Sequence, residues 1–150
     1  MSVTYRDMSC TAGQVFAVLS DGWLLGLWVV GASRIRDVEE SWPAPGSTVQ
    51  HSVGSWPALL DDTTTVKAVV ANRSVRLQAR AWPAGEADVL IELHARPGGC
   101  RVSITEDAVK GPGTWLPKPI RSILLNRRNV ESLRRLAFLA EGRTSTAAGV

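Results

Sequence analysis

Between residues 47 and 107 the chain repeats one short pattern: alternating side chains, rich in β-branched residues, closed by a turn signal. The segments are STVQHSVGS (47–55), TTTVKAVVA (63–71), SVRLQARAW (74–82), ADVLIELHA (87–95) and CRVSITED (100–107). The connections ANRS, PAGE and RPGG have hairpin length, so the spacing predicts an antiparallel meander. Trp-Pro pairs at 42–43, 56–57 and 82–83 mark strand borders, since proline lacks the donor that a central strand needs.

The flanks read differently. SVTYRDM (2–8) alternates weakly and is expected to be a first strand. SCTAGQ then supplies the small polar residues of a helix start, with Ser9, Cys10 or Thr11 near the cap, and Asp21-Gly22 ends that helix. The most apolar run follows, GWLLGLWVVGA (22–32). It is bounded by Asp21, Arg34 and Arg36 and falls short of the roughly 20 apolar residues that span a bilayer. Gly26 and Gly31 argue for a short helix and then a strand rather than one long helix. No basic segment followed by an apolar core opens the chain, so a cytoplasmic location without an integral membrane segment is expected. Pro117 and Pro119 suit a helix start, and the residues after them read as one long helix that Gly142 stops. A single domain over 1–143, followed by a disordered tail at 144–150, is the organisation this implies.

Composition removes several functions. Cys10 and Cys100 have no zinc-like spacing and His51 and His94 lie far apart, so no metal is expected and the cysteines read as buried thiols. With no dinucleotide fingerprint and no phosphate loop, no cofactor is expected either. The formal charge of +3 is concentrated at the C-terminal end, where residues 118–143 hold seven Lys/Arg against two Glu. That segment lacks the interleaved aromatics of a single-strand binder, so a solvated helix face, and no nucleic acid, is the expectation. Trp82, beside a sheet edge, is where a homodimer contact would be sought.

Parity sorts the strands into faces. Val75, Leu77, Ala79 and Ala81 share one side, as do Val89, Ile91, Leu93 and Ala95, and as do Val102 and Ile104. The opposite side carries Arg76, Arg80, Glu92, His94 and Arg101, expected as solvated cross-strand partners. The long helix offers an apolar stripe at Ile123, Val130, Leu133, Ala137 and Ala140. Polar residues that break the inward pattern are candidates for a site. His51 has the parity of Val49 and Val53, Glu106 that of Val102 and Ile104, and Asn126 lies on the helix stripe with Arg127 beside it.

The order of strand, two short helices, six antiparallel strands and a long C-terminal helix resembles the START-like (SRPBCC, helix-grip) superfamily, and within it the bacterial polyketide cyclase/dehydrase-like families. The resemblance runs through VFAVLSDGW, WVVGASRIRDVE, GSTVQHSVG, ELHARPGGCRVSITEDAV and RRNVESLRRLA, over nearly residues 2–141. It implies an α+β fold in which a curved antiparallel sheet of about seven strands wraps a long C-terminal helix around an apolar cavity. Trp23 and Trp28 would then belong to the cavity wall or mouth. The inward side chains Val53, Leu77, Ala79, Val89, Ile91, Val102, Ile104 and Ile123 would contact a small hydrophobic ligand such as a lipid or polyketide. His51, Asn126 or Arg127 would orient its polar end. Two other functions remain open: a cyclase or dehydratase using His51 or Glu106 as acid or base, and a protein-interaction module.

Overall fold

The computed structural model describes residues 2–30, 32–53, 60–81, 85–110 and 117–148. Strand β1 (Ser2–Met8) leads into helix α1 (Ala12–Leu19), a 3-10 turn at Gly22–Leu24 and the single-turn helix α2 (Leu25–Trp28). Six strands follow: β2 (Ala32–Val38), β3 (Thr48–Val53), β4 (Leu60–Val70), β5 (Ser74–Ala81), β6 (Gly85–Arg96) and β7 (Gly99–Lys110). Helix α3 (Lys118–Ala148) completes the chain's elements. The seven strands form one antiparallel sheet in the order β1-β7-β6-β5-β4-β3-β2. β2 through β7 are the expected meander. β1 returns to pair with β7, so Met8 lies opposite Cys100.

Local chemistry sets the element ends. Thr11 caps α1 in a reciprocal box: its hydroxyl accepts from the Gln14 amide at 3.2 Å, and the Gln14 side-chain oxygen accepts from the Thr11 amide at 2.7 Å. The Asp21 carboxylate accepts from the Trp23 amide at 3.2 Å and opens the 3-10 turn. Register shifts in the β2–β3 pair, between Val66 and Ala68, and between Glu86 and Ala87 mark bulges. Bulges increase local twist and bend, and here they curve the sheet.

Part of the core lies where β1 ends, β7 begins and α3 passes its midpoint. Met8, Cys10, Val15, Val18, Cys100, Val102, Leu133, Leu136, Ala137 and Ala140 are all buried there. Burial pushes the Cys100 thiol up to about 11 and raises Cys10 as well. Both are neutral thiols that pack as small apolar groups. On the outer face Asp7 accepts from Arg101 at 2.7 Å and from Arg96 at 3.1 Å, and Arg101 lies 4.3 Å over the Tyr5 ring. The Arg101 hydrogen bond holds the Asp7 carboxyl below its usual range. Of the five residues expected as solvated cross-strand partners, Arg101 is paired in this way, whereas Arg80 pairs with Glu86 and lines a cavity.

Three expectations meet a different structure or none. Helix α3 continues past Gly142 to Ala148. A glycine costs a helix about 1 kcal/mol relative to alanine, and no proline follows to enforce a stop. The inward stripe of α3 is Asn129, Ser132, Leu133, Leu136, Ala137 and Ala140, whereas Ile123 and Val130 are 56% and 49% exposed. The apolar pattern thus reads correctly only from Leu133 onward. Trp82, with the homodimer contact sought there, and the Trp56-Pro57 pair lie outside the described residues.

Candidate functional site

Toward its N-terminal half α3 leaves the sheet room for a cavity of about 260 Å3. The floor is the concave face of the sheet: Leu77 and Ala79 of β5, Val89 and Ile91 of β6, and Ile104 of β7. Leu25, Trp28 and Val29 wall one side, and Arg128, Asn129 and Ser132 of α3 form the roof. His51 of β3 and Thr64 of β4, on neighbouring strands, close the far side. Arg80 and Arg128 keep 62% and 40% of their side chains exposed and mark where the cavity meets solvent.

The polar groups of this wall fall into two kinds. Some are fully engaged. The carboxylate of Glu106, 5% exposed, accepts a hydrogen bond from the Arg128 guanidinium, joining β7 to α3. Arg80 pairs with Glu86 at 3.2 Å, and the Ser132 hydroxyl accepts from the Val30 amide at 3.2 Å. Others have a polar atom with no partner. The Trp28 indole Nε1, the His51 Nδ1 and the Asn129 amide Nδ2 are buried without a hydrogen bond. Almost all buried polar groups in folded proteins are satisfied. Among the described residues, three such exceptions sit on one cavity.

His51 is fixed by one end only. Its Nε2 lies 2.8 Å from the Thr64 hydroxyl, while Nδ1 is buried without a partner. Burial lowers its pKa, nearby Asp62 partly opposing and Arg36 reinforcing that, so the imidazole is neutral at pH 7. Its ring can therefore present either a donor or an acceptor, depending on how the Thr64 hydroxyl turns.

Of the residues singled out in the sequence, Trp28, His51, Leu77, Ala79, Val89, Ile91, Ile104 and Glu106 share this cavity. Val102 is wholly buried but belongs to the dense core rather than to the wall. Trp23 is 57% exposed on the outer side of the 3-10 turn, in a surface groove with Trp42 and Glu39. Ile123, Asn126 and Arg127 are exposed on α3, and Asn126 accepts a 2.6 Å hydrogen bond from the Thr4 hydroxyl. Val53 ends β3, and its side chain is outside the described residues. The wall residues missed include Leu25, Val29 and Thr64 and, on α3, Arg128, Asn129 and Ser132. Counting four back from Leu133 reaches Asn129, so the well-packed half of the helix held the signal.

A seven-stranded curved sheet grasping a long C-terminal helix, with a cavity between them, is the helix-grip α+β fold. Solved structures share it throughout. A protein of Nitrosomonas europaea superimposes with a TM-score of 0.73 at 16% identity, over 95% of each chain. Ara h 8.0201 does so with a TM-score of 0.71 at 12% identity, over 93% of this chain and 96% of that one. The di-domain ARO/CYC StfQ of the steffimycin biosynthetic pathway matches 99% of this chain with 51% of its own, at a TM-score of 0.73 and 12% identity. No family model and no curated protein matches the sequence. No described helix is long and apolar enough to cross a membrane, and no described group of three potential metal ligands exists.

Proposed function

We propose that this chain binds a small hydrophobic or amphipathic molecule, of lipid or polyketide type, in the cavity beneath α3. One observation carries the reading: an apolar chamber of about 260 Å3 whose wall holds three buried polar atoms without partners. Ligand sites are commonly apolar clefts with a few convergent polar groups, with volumes from roughly 300 Å3 upward, so this one suits a small guest. Apolar contact at about 25 cal/mol per Å2 supplies most of the affinity, and the polar atoms orient the guest. Similarity of fold to the StfQ aromatase/cyclase adds support for polyketide-like guests.

The test fills the chamber. Prodan, a neutral fluorescent naphthyl ketone, is expected to bind with a blue-shifted, enhanced emission. Ala79→Phe, which places a ring in the chamber from β5, should weaken it at least tenfold while leaving the circular dichroism spectrum unchanged. Equal binding to wild type and variant would place the dye elsewhere and end this reading.

A second function is favoured by His51 itself. A neutral imidazole on the cavity wall, with Nδ1 unpartnered, can remove a proton from a carbon beside a carbonyl when Nε2 donates its own proton to Thr64. Glu106 is less suited to that role, because its carboxylate is committed to Arg128. If the chain is an enzyme of the cyclase or dehydratase kind, it should speed deuterium incorporation into the methyl group of acetonaphthone in D2O. His51→Ala should abolish that exchange and change prodan affinity by less than about threefold. Exchange no faster than in buffer would leave the binding function and remove the catalytic one.

A further inference from the structure

We infer that the cavity selects neutral guests whose polar end is a hydrogen-bond acceptor, such as aryl ketones or esters, and rejects the corresponding carboxylates. The inference rests on the cavity being a binding site and assigns the chemical class of its ligand. Two independent features of the wall point to it.

The first is the set of groups that lack partners. The indole Nε1–H of Trp28 and the NH2 of the Asn129 amide can only donate hydrogen bonds, both lack a partner, and both residues line the cavity. The two residues are 4% and 3% exposed, so bulk water does not serve them. A carbonyl or ether oxygen is the complement to such donors. The unpartnered Nδ1 of His51 can add a third donor, or accept from a hydroxyl guest, because its tautomer follows the Thr64 hydroxyl.

The second is the balance of charge. Two arginines line the cavity, and each already has a carboxylate: Arg128 holds Glu106, and Arg80 holds Glu86. His51 is neutral at pH 7. An entering carboxylate would lose its hydration, meet the buried Glu106, and have to share a guanidinium already committed to another carboxylate. A neutral oxygen suffers none of these penalties and is still drawn to the donors.

Three naphthalenes substituted at the same ring carbon separate the terms: acetonaphthone, ethylnaphthalene and naphthoate. Each is measured by displacement of prodan at pH 7.5 from wild type, Trp28→Phe and Asn129→Leu. The ketone is expected to bind at least tenfold tighter than naphthoate and three- to tenfold tighter than ethylnaphthalene. Both variants should bring the ketone down to the hydrocarbon, whose own affinity moves less than twofold. Asn129→Leu keeps the side-chain volume, so a packing defect from the tryptophan change cannot imitate the result. Naphthoate bound as tightly as the ketone overturns the inference. So does a loss that is equal for ketone and hydrocarbon in both variants. Failure of prodan and of all three compounds to bind would instead overturn the cavity as a site, and the inference with it.

Discussion

Arg128→Leu is expected to destabilise the fold by about 2–3 kcal/mol, seen as a fall in melting temperature of about 5–10 °C. The reason is the group left behind. Glu106 is 5% exposed and takes its hydrogen bond from the Arg128 guanidinium across the gap between β7 and α3. Without that guanidinium a carboxylate faces apolar walls. Breaking a fully buried pair costs roughly 3–5 kcal/mol; the lower range applies here because Arg128 keeps 40% of its side chain in water. The double variant Arg128→Leu/Glu106→Leu should recover most of the loss, since replacing both charges by apolar groups removes the desolvation penalty altogether. Thermal denaturation of the four proteins in the cycle decides the matter. A single variant within about 0.5 kcal/mol of wild type would show that the pair holds nothing together.

Gly99→Ala should be more damaging still, by more than about 3 kcal/mol in urea unfolding. A Cβ built at Gly99 would sit 1.9 Å from the Met8 carbonyl oxygen, 2.9 Å from the Met8 carbonyl carbon and 3.2 Å from the Ser9 Cα. All three are main-chain atoms, and Met8 is tied into the β1–β7 ladder opposite Cys100. Relief therefore requires prising β1 away from β7. The neighbouring Gly98 makes the control. Its φ of +81° penalises alanine, but a Cβ there meets nothing within 4 Å, so Gly98→Ala should cost only about 1–2 kcal/mol. Equal costs at the two glycines would refute the steric account.

Strand and helix differ in how openly the amino-acid sequence declares them. The meander and its inward faces follow from period-two alternation, because a one-residue slip would turn every side chain to the wrong side. That is why Leu77, Ala79, Val89, Ile91 and Ile104 can be named from spacing alone. Helix α3 behaves otherwise. A search for apolar residues selects Ile123 and Val130, yet the face over the cavity is made of Arg128, Asn129 and Ser132. On this face Arg128 bonds Glu106 and Ser132 accepts from the Val30 amide, so the face is polar, and hydrophobic periodicity cannot see it. The apolar run at 22–32 poses the same problem in miniature. Trp23 and Trp28 are five residues apart, about 140° around a helix of 3.6 residues per turn, so only one of them can face inward. Composition treats them alike, whereas the geometry puts Trp28 in the wall and Trp23 outside. The Gly99 contact is equally hidden in the sequence, because it depends on β1 returning to β7 across the whole length of the chain.

Dense packing at one end of α3 and open space at the other divide the labour along the molecule. Met8, Val18, Cys100 and Leu136 are buried in the core and do not line the chamber, whereas Ala79 lines it without belonging to the core cluster. Substitutions at the chamber wall should therefore alter its shape at less risk to the fold than substitutions at Met8, Val18, Cys100 or Leu136.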